Sequence, residues 1–66
     1  MDREPIMQFF SYAHLPEHLQ AMSRQFSELA EHVHETVSRN PERSTALRKL
    51  LEAKDAAVRA LIFKSE

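Results

Sequence analysis

The stretch ALRKLLEAKDAAVRA, residues 46–60, decides the fold of this chain. Read at about 100° per residue, it predicts a helix whose apolar arc covers roughly 200°, wider than one partner helix can bury. One half of the arc, extended past residue 60, consists of Leu47, Leu50, Leu51, Val58, Leu61 and Ile62. The other half consists of Ala46, Ala53, Ala57 and Ala60. A helix with two flanks to bury predicts a homo-oligomer.

The size and composition of the chain limit how it can be stabilised. Its 66 residues form a single domain, expected to span residues 1–66, whose core is barely large enough to fold alone. The chain contains no cysteine, which excludes disulfides and thiolate zinc sites and fits a reducing cytoplasm. Self-association is therefore the expected source of additional stability.

The charge balance restricts the partners. Nine basic and ten acidic residues give a formal net charge of −1, whereas proteins that grip a long phosphate backbone carry a positive excess. We therefore expect no long nucleic acid as a partner, although a small phosphorylated ligand held by a few basic groups fits. We also expect no membrane partner, since no apolar run approaches the roughly 20 residues of a span. The N-terminal MDREPIMQFF does not resemble a secretory signal.

Proline positions and apolar spacing predict an all-α fold. Pro16 and Pro41 each stand in the first turn of a helix, over residues 16–38 and 41–63, and Asn40 caps the second helix. The first helix has near-heptad apolar spacing at Leu19, Met22, Phe26, Leu29, Val33 and Val37. A connection of two or three residues makes the pair an antiparallel two-helix hairpin. Residues 1–15 form an N-terminal segment, with an aromatic cluster of Phe9, Phe10 and Tyr12, that packs across the hairpin or onto a neighbouring subunit.

On the solvent face of the second helix, we expect Arg48 to pair with Glu52 and Asp55 to pair with Arg59, because each pair has i,i+4 spacing.

No arrangement of side chains predicts catalysis or metal binding. His14 and His18 have i,i+4 spacing, but Pro16 between them argues against the continuous helix that would bring their rings together. No serine or histidine stands in a pattern of nucleophile, base and orienting group. We expect a protein that is not an enzyme and holds neither a metal nor a cofactor.

A few positions could meet a small nucleotide. Tyr12 either fills the gap between the hairpin and the N-terminal segment or stacks on a nucleobase, with Arg24 and Ser23 contacting a phosphate. Lys54 lies near the centre of the apolar arc. In one interpretation its stem packs along the leucines while the ammonium reaches solvent or pairs with a glutamate of the first helix. In the other, copies of Lys54 converge at an oligomer axis to hold a phosphate. Spacing alone leaves both pairs of interpretations open.

Two stretches carry a resemblance to a known family. FSYAHLPEHLQAMSRQFSELA at residues 10–30 and NPERSTALRKLLEAKDAAVRAL at residues 40–61 resemble the phage anti-CBASS sponge family, whose helical-hairpin domain is shared with some phage anti-Thoeris sponges. The resemblance implies a small non-enzymatic protein that forms hexamers in the cytoplasm of the infected bacterial host. It also implies binding of cyclic dinucleotides such as cyclic GMP–AMP between protomers, and of cyclic trinucleotides nearer the symmetry axis, so that immune effectors stay inactive.

The resemblance also implies roles for individual residues. Tyr12 matches the family's base-stacking aromatic, and Arg24, following Ser23, stands where the family has a basic phosphate contact. That contact is a lysine in the family, and arginine keeps the charge but changes the hydrogen-bond geometry. Arg48 and Lys49 are candidates for the axial sites. The full set of candidate ligand-binding residues is Tyr12, His14, Ser23, Arg24, Arg48, Lys49 and Lys54.

Two other functions use the same features. A small protein-binding hairpin would place its amphipathic helices in a groove of a host protein and be sensitive at Leu51, Val58 or Ile62. A nucleic-acid-binding helical module would bind linear strands with steep salt dependence. A sponge, by contrast, loses its ligand when Tyr12 or Arg24 is replaced by alanine while the protein stays folded.

Overall fold

The computed structural model describes residues 3–64, which form three helices. A 3₁₀ helix spans Pro5–Phe10, helix α1 spans Glu17–Thr36 and helix α2 spans Pro41–Leu61. The two long helices pack against each other, and the 3₁₀ helix contacts both. The all-α class predicted from the sequence is confirmed for these residues. The ends of the predicted domain, residues 1–2 and 65–66, lie outside the described residues.

Both long helices end two residues earlier than the sequence predicts. Helix α1 stops at Thr36 rather than at residue 38 because Val37 adopts an extended backbone, with φ −105° and ψ 131°. Helix α2 stops at Leu61 rather than at residue 63. There the N–H of Ile62 donates to the carbonyl of Arg59 at 3.2 Å, which tightens the last turn. Apolar spacing carries no signal for such terminal turns.

The start of α2 forms as predicted. Asn40 is the N-cap, and its side-chain oxygen accepts a hydrogen bond from the backbone N–H of Arg43 at 2.8 Å. Pro41 occupies the first turn, where its missing N–H costs nothing. The start of α1 differs, since Pro16 precedes it without a side-chain cap. Helix α1 therefore begins one residue later than predicted, at Glu17, with Pro16 at the N-cap position, and of the two long helices only α2 is capped by a side chain.

The core is small and lies where the three helices meet. Its buried members are Met7, Phe10, Ala30 and Leu47. Partly buried side chains complete it: Ile6, Phe26, Val33, Leu50 and Leu51. The 3₁₀ helix supplies Phe10, the largest of the fully buried side chains. The N-terminal segment therefore packs across the two long helices, which is one of the two placements expected from the sequence.

A buried ion pair fastens the N-terminal segment to the start of α2. Glu4 Oε1 accepts a hydrogen bond from Arg43 Nε at 2.7 Å, and Ser44 Oγ donates to Glu4 Oε2 at 3.0 Å. Arg43 Nη1 also donates to the carbonyls of His34 and Val37, at 3.0 and 2.9 Å. These carbonyls lie at the C-terminus of α1, where intrahelical donors run out. We call the cluster of Glu4, His34, Val37, Arg43 and Ser44 the locked end.

Helix α2 buries most of one of its two predicted flanks and exposes most of the other. The leucine flank is buried or half-buried at Leu47, Leu50, Leu51 and Val58. The alanine flank is exposed at Ala46, Ala53 and Ala60 and half-buried at Ala57. The last two members of the leucine flank, Leu61 and Ile62, are exposed, as is the next residue, Phe63; we call these three residues the open end. A single chain thus leaves uncovered much of the apolar arc from which self-association was predicted.

Candidate functional site

Two depressions lie beside the N-terminal segment, and Ser11 lines both. The first, which we call the Lys54 cleft, has a volume of about 280 Å³; its walls include Phe9, His14, Leu15, Leu51, Lys54 and Asp55. The second, the Tyr12 cleft, has a volume of about 340 Å³; its walls include Arg3, Phe10, Tyr12, Ser27 and Glu31. Each combines an aromatic ring with a basic side chain, the groups that proteins use to contact bases and phosphates.

Lys54 lies in the first cleft with most of its side chain covered. The side chain is 13% exposed, and Nζ lies 2.9 Å from Oδ1 of Asp55, the next residue along α2. One of the alternatives drawn from the sequence paired the ammonium with a glutamate of the first helix, and the structure shows Asp55 as its partner instead. The apolar stem is covered while the ammonium remains a hydrogen-bond donor inside the cleft.

The Lys54 cleft also brings together two side chains from the N-terminal segment. His14, predicted to bind ligand, is exposed on its wall, and the ring of Phe9 is 57% exposed beside it. A short helix over residues 6–12 would have placed Phe9 and Tyr12 on one face. The 3₁₀ helix instead ends at Phe10, so the two rings line different clefts.

An ion pair lies at the Tyr12 cleft. Tyr12 is half-buried there. Arg3 Nη1 donates to Glu31 Oε1 at 3.3 Å, and Arg3 Nη2 pairs with the second carboxylate oxygen. The hydrogen bond from Arg3 lowers the pKa of Glu31, against the opposing effect of burial. Because a guanidinium carries five N–H donors, Arg3 keeps donors that a phosphate can accept.

Arg24 and Ser23 do not line either cleft. Arg24 is exposed on α1, with Nε 3.4 Å from Glu28 Oε2. Ser23 is fully buried, and its hydroxyl has no hydrogen-bond partner among the described residues. A buried hydroxyl meets no ligand in this conformation, so a single chain does not form the phosphate contact expected of Ser23. The reason is the 100° step between successive helical residues, which turns Ser23 inward when Arg24 faces solvent.

Arg48 and Lys49 are exposed on α2 and also lie outside both clefts. Lys49 Nζ is 3.7 Å from Glu52 Oε1, a surface pair of small energetic weight. This pair replaces the expected pairing of Arg48 with Glu52. Asp55, expected to pair with Arg59 on the solvent face, pairs with Lys54 instead.

Sequence reasoning missed three residues of the clefts as candidates. Phe9 was seen only as part of an aromatic cluster, and Asp55 only as a solvent-face charge. Arg3 was not predicted as a site residue, because its partner Glu31 lies 28 positions away. The one sequence signal for the Lys54–Asp55 pair was that the two residues are adjacent in the chain. No spacing rule connects Arg3 with Glu31.

Several findings bear on the class of function. Among residues 3–64, no group of three or more histidine and acidic side chains is placed to hold a metal ion. Over the same residues, neither long helix is apolar enough to cross a membrane. In comparisons with known proteins, no family model, no curated protein and no solved structure matches this chain. The two clefts and the exposed flank of α2 are therefore the features from which we infer a function.

Proposed function

We propose that this protein binds and sequesters cyclic oligonucleotide second messengers, and so keeps them from activating CBASS immune effectors. The observation that carries the proposal is the pair of clefts on either side of Ser11, each with an aromatic ring and a basic side chain. Cyclic oligonucleotides carry the matching groups, which are flat bases and phosphodiesters of one negative charge each. From the resemblance to phage sponges we further propose that this activity takes place in the cytoplasm of an infected bacterium.

The cleft volumes suit one nucleotide unit each. Pockets for drug-sized ligands measure about 300–1,000 Å³; the Lys54 cleft, at 280 Å³, is just below that range, and the Tyr12 cleft, at 340 Å³, is at its lower end. A cyclic dinucleotide exceeds either cleft, so we propose that it lies where two protomers meet. Stacking contributes about 1–3 kcal/mol per base. Two stacked bases and paired phosphates would then supply the binding energy without any chemical step.

Exposed surface supports a homo-oligomer, which we propose to be a hexamer of antiparallel two-helix hairpins. A chain of 7.7 kDa buries few side chains to stabilise it, and each partner in a standard interface buries roughly 800 Å² more. The alanine flank and the open end offer apolar surface for such an interface.

Basic residues outside the clefts would act from neighbouring subunits. Lys49 is three residues from Ala46 and four from Ala53, which puts it on the edge of the exposed alanine flank. An interface along this flank would gather copies of Lys49, which suits a cyclic trinucleotide. Arg48 lies about 150° away around α2 and would contribute only from an interface on the opposite edge of the helix. Arg24 would reach a phosphate at a cleft of the adjacent protomer.

Sequestration requires tight stoichiometric binding, because the sites must outnumber the messenger and compete with the effector. We expect dissociation constants near the nanomolar range, about −12 kcal/mol. Isothermal titration with cyclic GMP–AMP and cyclic tri-adenylate tests this. We expect binding to saturate at a fixed ratio of ligand to protomer. Tyr12→Ala should weaken cyclic dinucleotide binding by about tenfold or more, since one stacking contact is lost.

The matched control is Tyr12→Phe, which keeps the ring and should keep most of the affinity. Circular dichroism of each variant confirms that the helices remain. Absence of heat with a broad panel of cyclic nucleotides would contradict the proposal. So would a sedimentation experiment in which the protein is a monomer at micromolar concentration.

A second function is favoured by the open end. Leu61, Ile62 and Phe63 are 49%, 54% and 75% exposed and follow one another directly. Adjacent exposed apolar residues at the end of a helix are a surface that a groove of a host protein can cover. In that case Ile62→Ala abolishes partner binding, whereas Tyr12→Ala has no effect.

A further inference from the structure

We propose that the Lys54 cleft is a guanine-recognition site formed within one chain. The inference rests on the proposed function for the source of its ligand, and it deepens that function by naming the base. The observation behind it is the adjacent donor and acceptor of Lys54 and Asp55, set in a cleft beside the exposed ring of Phe9.

The apolar wall of the cleft suits a flat base. Phe9 exposes more than half of its surface although the 3₁₀ helix buries its neighbour Phe10. Leu15 and Leu51 complete the apolar lining. Stacking on an aromatic ring is tolerated by every base, so Phe9 supplies affinity without selectivity. The choice of base must then come from the polar groups.

The polar groups match the hydrogen-bonding edge of guanine. Lys54 Nζ has three donors, and the Asp55 carboxylate has only acceptors. Their separation of 2.9 Å holds donor and acceptor side by side. Guanine presents acceptors at O6 and N7, and next to O6 it presents donors at N1 and N2. Lys54 would donate to O6 or N7, while the two Asp55 oxygens would accept from N1–H and N2–H.

Other bases fill this pattern less completely. Adenine and cytosine place one amino group beside a ring nitrogen acceptor, and uracil has a single N–H between two carbonyls. Only guanine gives a carboxylate two parallel donors next to a carbonyl acceptor, and paired charge-assisted bonds of this kind are stronger and more directional than single ones. A missing partner also leaves a partly covered charge unpaired, which adds to the discrimination.

The burial of the two side chains is asymmetric in a way that suits entry of a base. The Lys54 side chain is 13% exposed, whereas that of Asp55 is 46% exposed. A base entering from solvent therefore meets Asp55 first and Lys54 deeper in the cleft. His14 is exposed on the same wall and is available to the ribose or phosphate. The volume of about 280 Å³ admits one nucleotide unit and leaves the rest of a cyclic ligand outside.

Nuclear magnetic resonance titration of the full chain with GMP and AMP tests the cleft apart from any cyclic ligand. We expect GMP to shift the resonances of residues 8–15 and 51–55 and to bind at least tenfold more tightly than AMP. Equal binding of the two, or no shift at millimolar GMP, would overturn the inference.

The sharper test exchanges one hydrogen-bonding group. Asp55→Asn should lose the preference for GMP and gain affinity for XMP, because the asparagine amide donates to the second carbonyl that xanthine carries in place of the amino group of guanine. Glu52→Gln, a similar change on the exposed surface of α2 outside the cleft, is the matched control. An Asp55→Asn variant that binds GMP as the wild type does would overturn the inference even if it folds normally.

Parallel titrations with cyclic di-GMP, cyclic GMP–AMP and cyclic di-AMP separate this inference from the proposed function. Tight binding of all three without preference would retain the sponge and reject the guanine site. Binding of GMP at the cleft without binding of any cyclic ligand would retain the guanine site and reject the sponge.

Discussion

The locked end and the open end of this molecule differ in how completely their groups are paired or covered within one chain. At the locked end, Glu4 and Arg43 are buried with each carboxylate oxygen and several guanidinium donors paired. At the open end, Leu61 and Phe63 are 49% and 75% exposed, so much of their apolar surface faces solvent. The polar groups of the locked end find their partners within the chain, whereas the open end exposes apolar surface that another molecule could cover. The difference indicates which part of the chain sets its fold and which part is available for association.

Arg43→Met should produce the largest effect on stability. It leaves the Glu4 carboxylate and the carbonyls of His34 and Val37 without their donor, and breaking a buried pair in this way costs about 3–5 kcal/mol. A chain of this length has about 3–10 kcal/mol of stability in total. Urea unfolding followed by circular dichroism measures the loss.

Two further variants keep that prediction testable if Arg43→Met does not fold. Arg43→Lys retains the charge but not the planar donor fork, and should lose part of the same stability. Arg48→Met, on the exposed surface of α2, should stay within about 0.5 kcal/mol of the wild type. Equal stability of Arg43→Met and Arg48→Met would show that the locked end does not hold the fold.

Leu47→Ala and Leu61→Ala compare a leucine of the core with a leucine of the open end. Leu47 is 0% exposed, and its truncation should cost about 2–5 kcal/mol because it leaves a cavity. Leu61→Ala should cost less than about 0.5 kcal/mol in a single chain. Denaturant midpoints at several protein concentrations measure both.

The concentration series sharpens the comparison. If the open end lies in an interface between subunits, Leu61→Ala lowers the midpoint at high protein concentration but not after dilution, since oligomerisation stabilises by mass action. A loss that is the same at every concentration would place Leu61 in the core of the single chain, against its exposure.

Acidification should weaken the locked end by a smaller amount. Burial raises the pKa of the Glu4 carboxyl, but hydrogen bonds from Arg43 and Ser44 and the charge of Arg43 outweigh it and hold the pKa below the ordinary value of 4.5. A group with a lowered pKa in the folded state stabilises the fold above its ordinary pKa, and this stability is lost as the pH falls through the folded-state pKa. The unfolding free energy should therefore fall below pH 4.5.

Glu4→Gln separates this effect from other carboxylates. Its stability should fall less steeply with acid than that of the wild type, whereas Glu28→Gln, on the exposed face of α1, should keep the wild-type profile. Part of the slope remains in Glu4→Gln, because Arg3 lowers the pKa of Glu31 as well. Superimposable profiles for wild type and Glu4→Gln would show that Glu4 does not contribute.

The local features of the fold were predictable, and the reason is their short range. The adjacent residues Asn40 and Pro41 predict the start of α2, and the cap forms as expected. The leucine flank is buried around Leu47 because its spacing follows the helical period. The 3₁₀ helix at Pro5–Phe10 was harder to predict from the sequence, because a six-residue segment is too short to establish a period.

The candidate site was predicted in part. Lys54, His14 and Tyr12 all line a cleft, and Lys54 was singled out because a charge interrupts the apolar arc. Ser23 was chosen for its place beside Arg24, but helical neighbours point in different directions. Asp55 was expected on the solvent face. The period of a single helix does not show which other segment packs against it, so the N-terminal segment beside Asp55 was not foreseen.

The sequence by itself determined the all-α class, the capped start of α2 and an apolar arc too wide for one partner. Each of these depends on residues within one or two helical turns, where chain geometry fixes the neighbours. Only the tertiary structure decided that Glu4 pairs with Arg43, 39 positions away, and that Phe9 and His14 meet Lys54 in one cleft. Such contacts depend on how separate segments pack, and no local spacing encodes them.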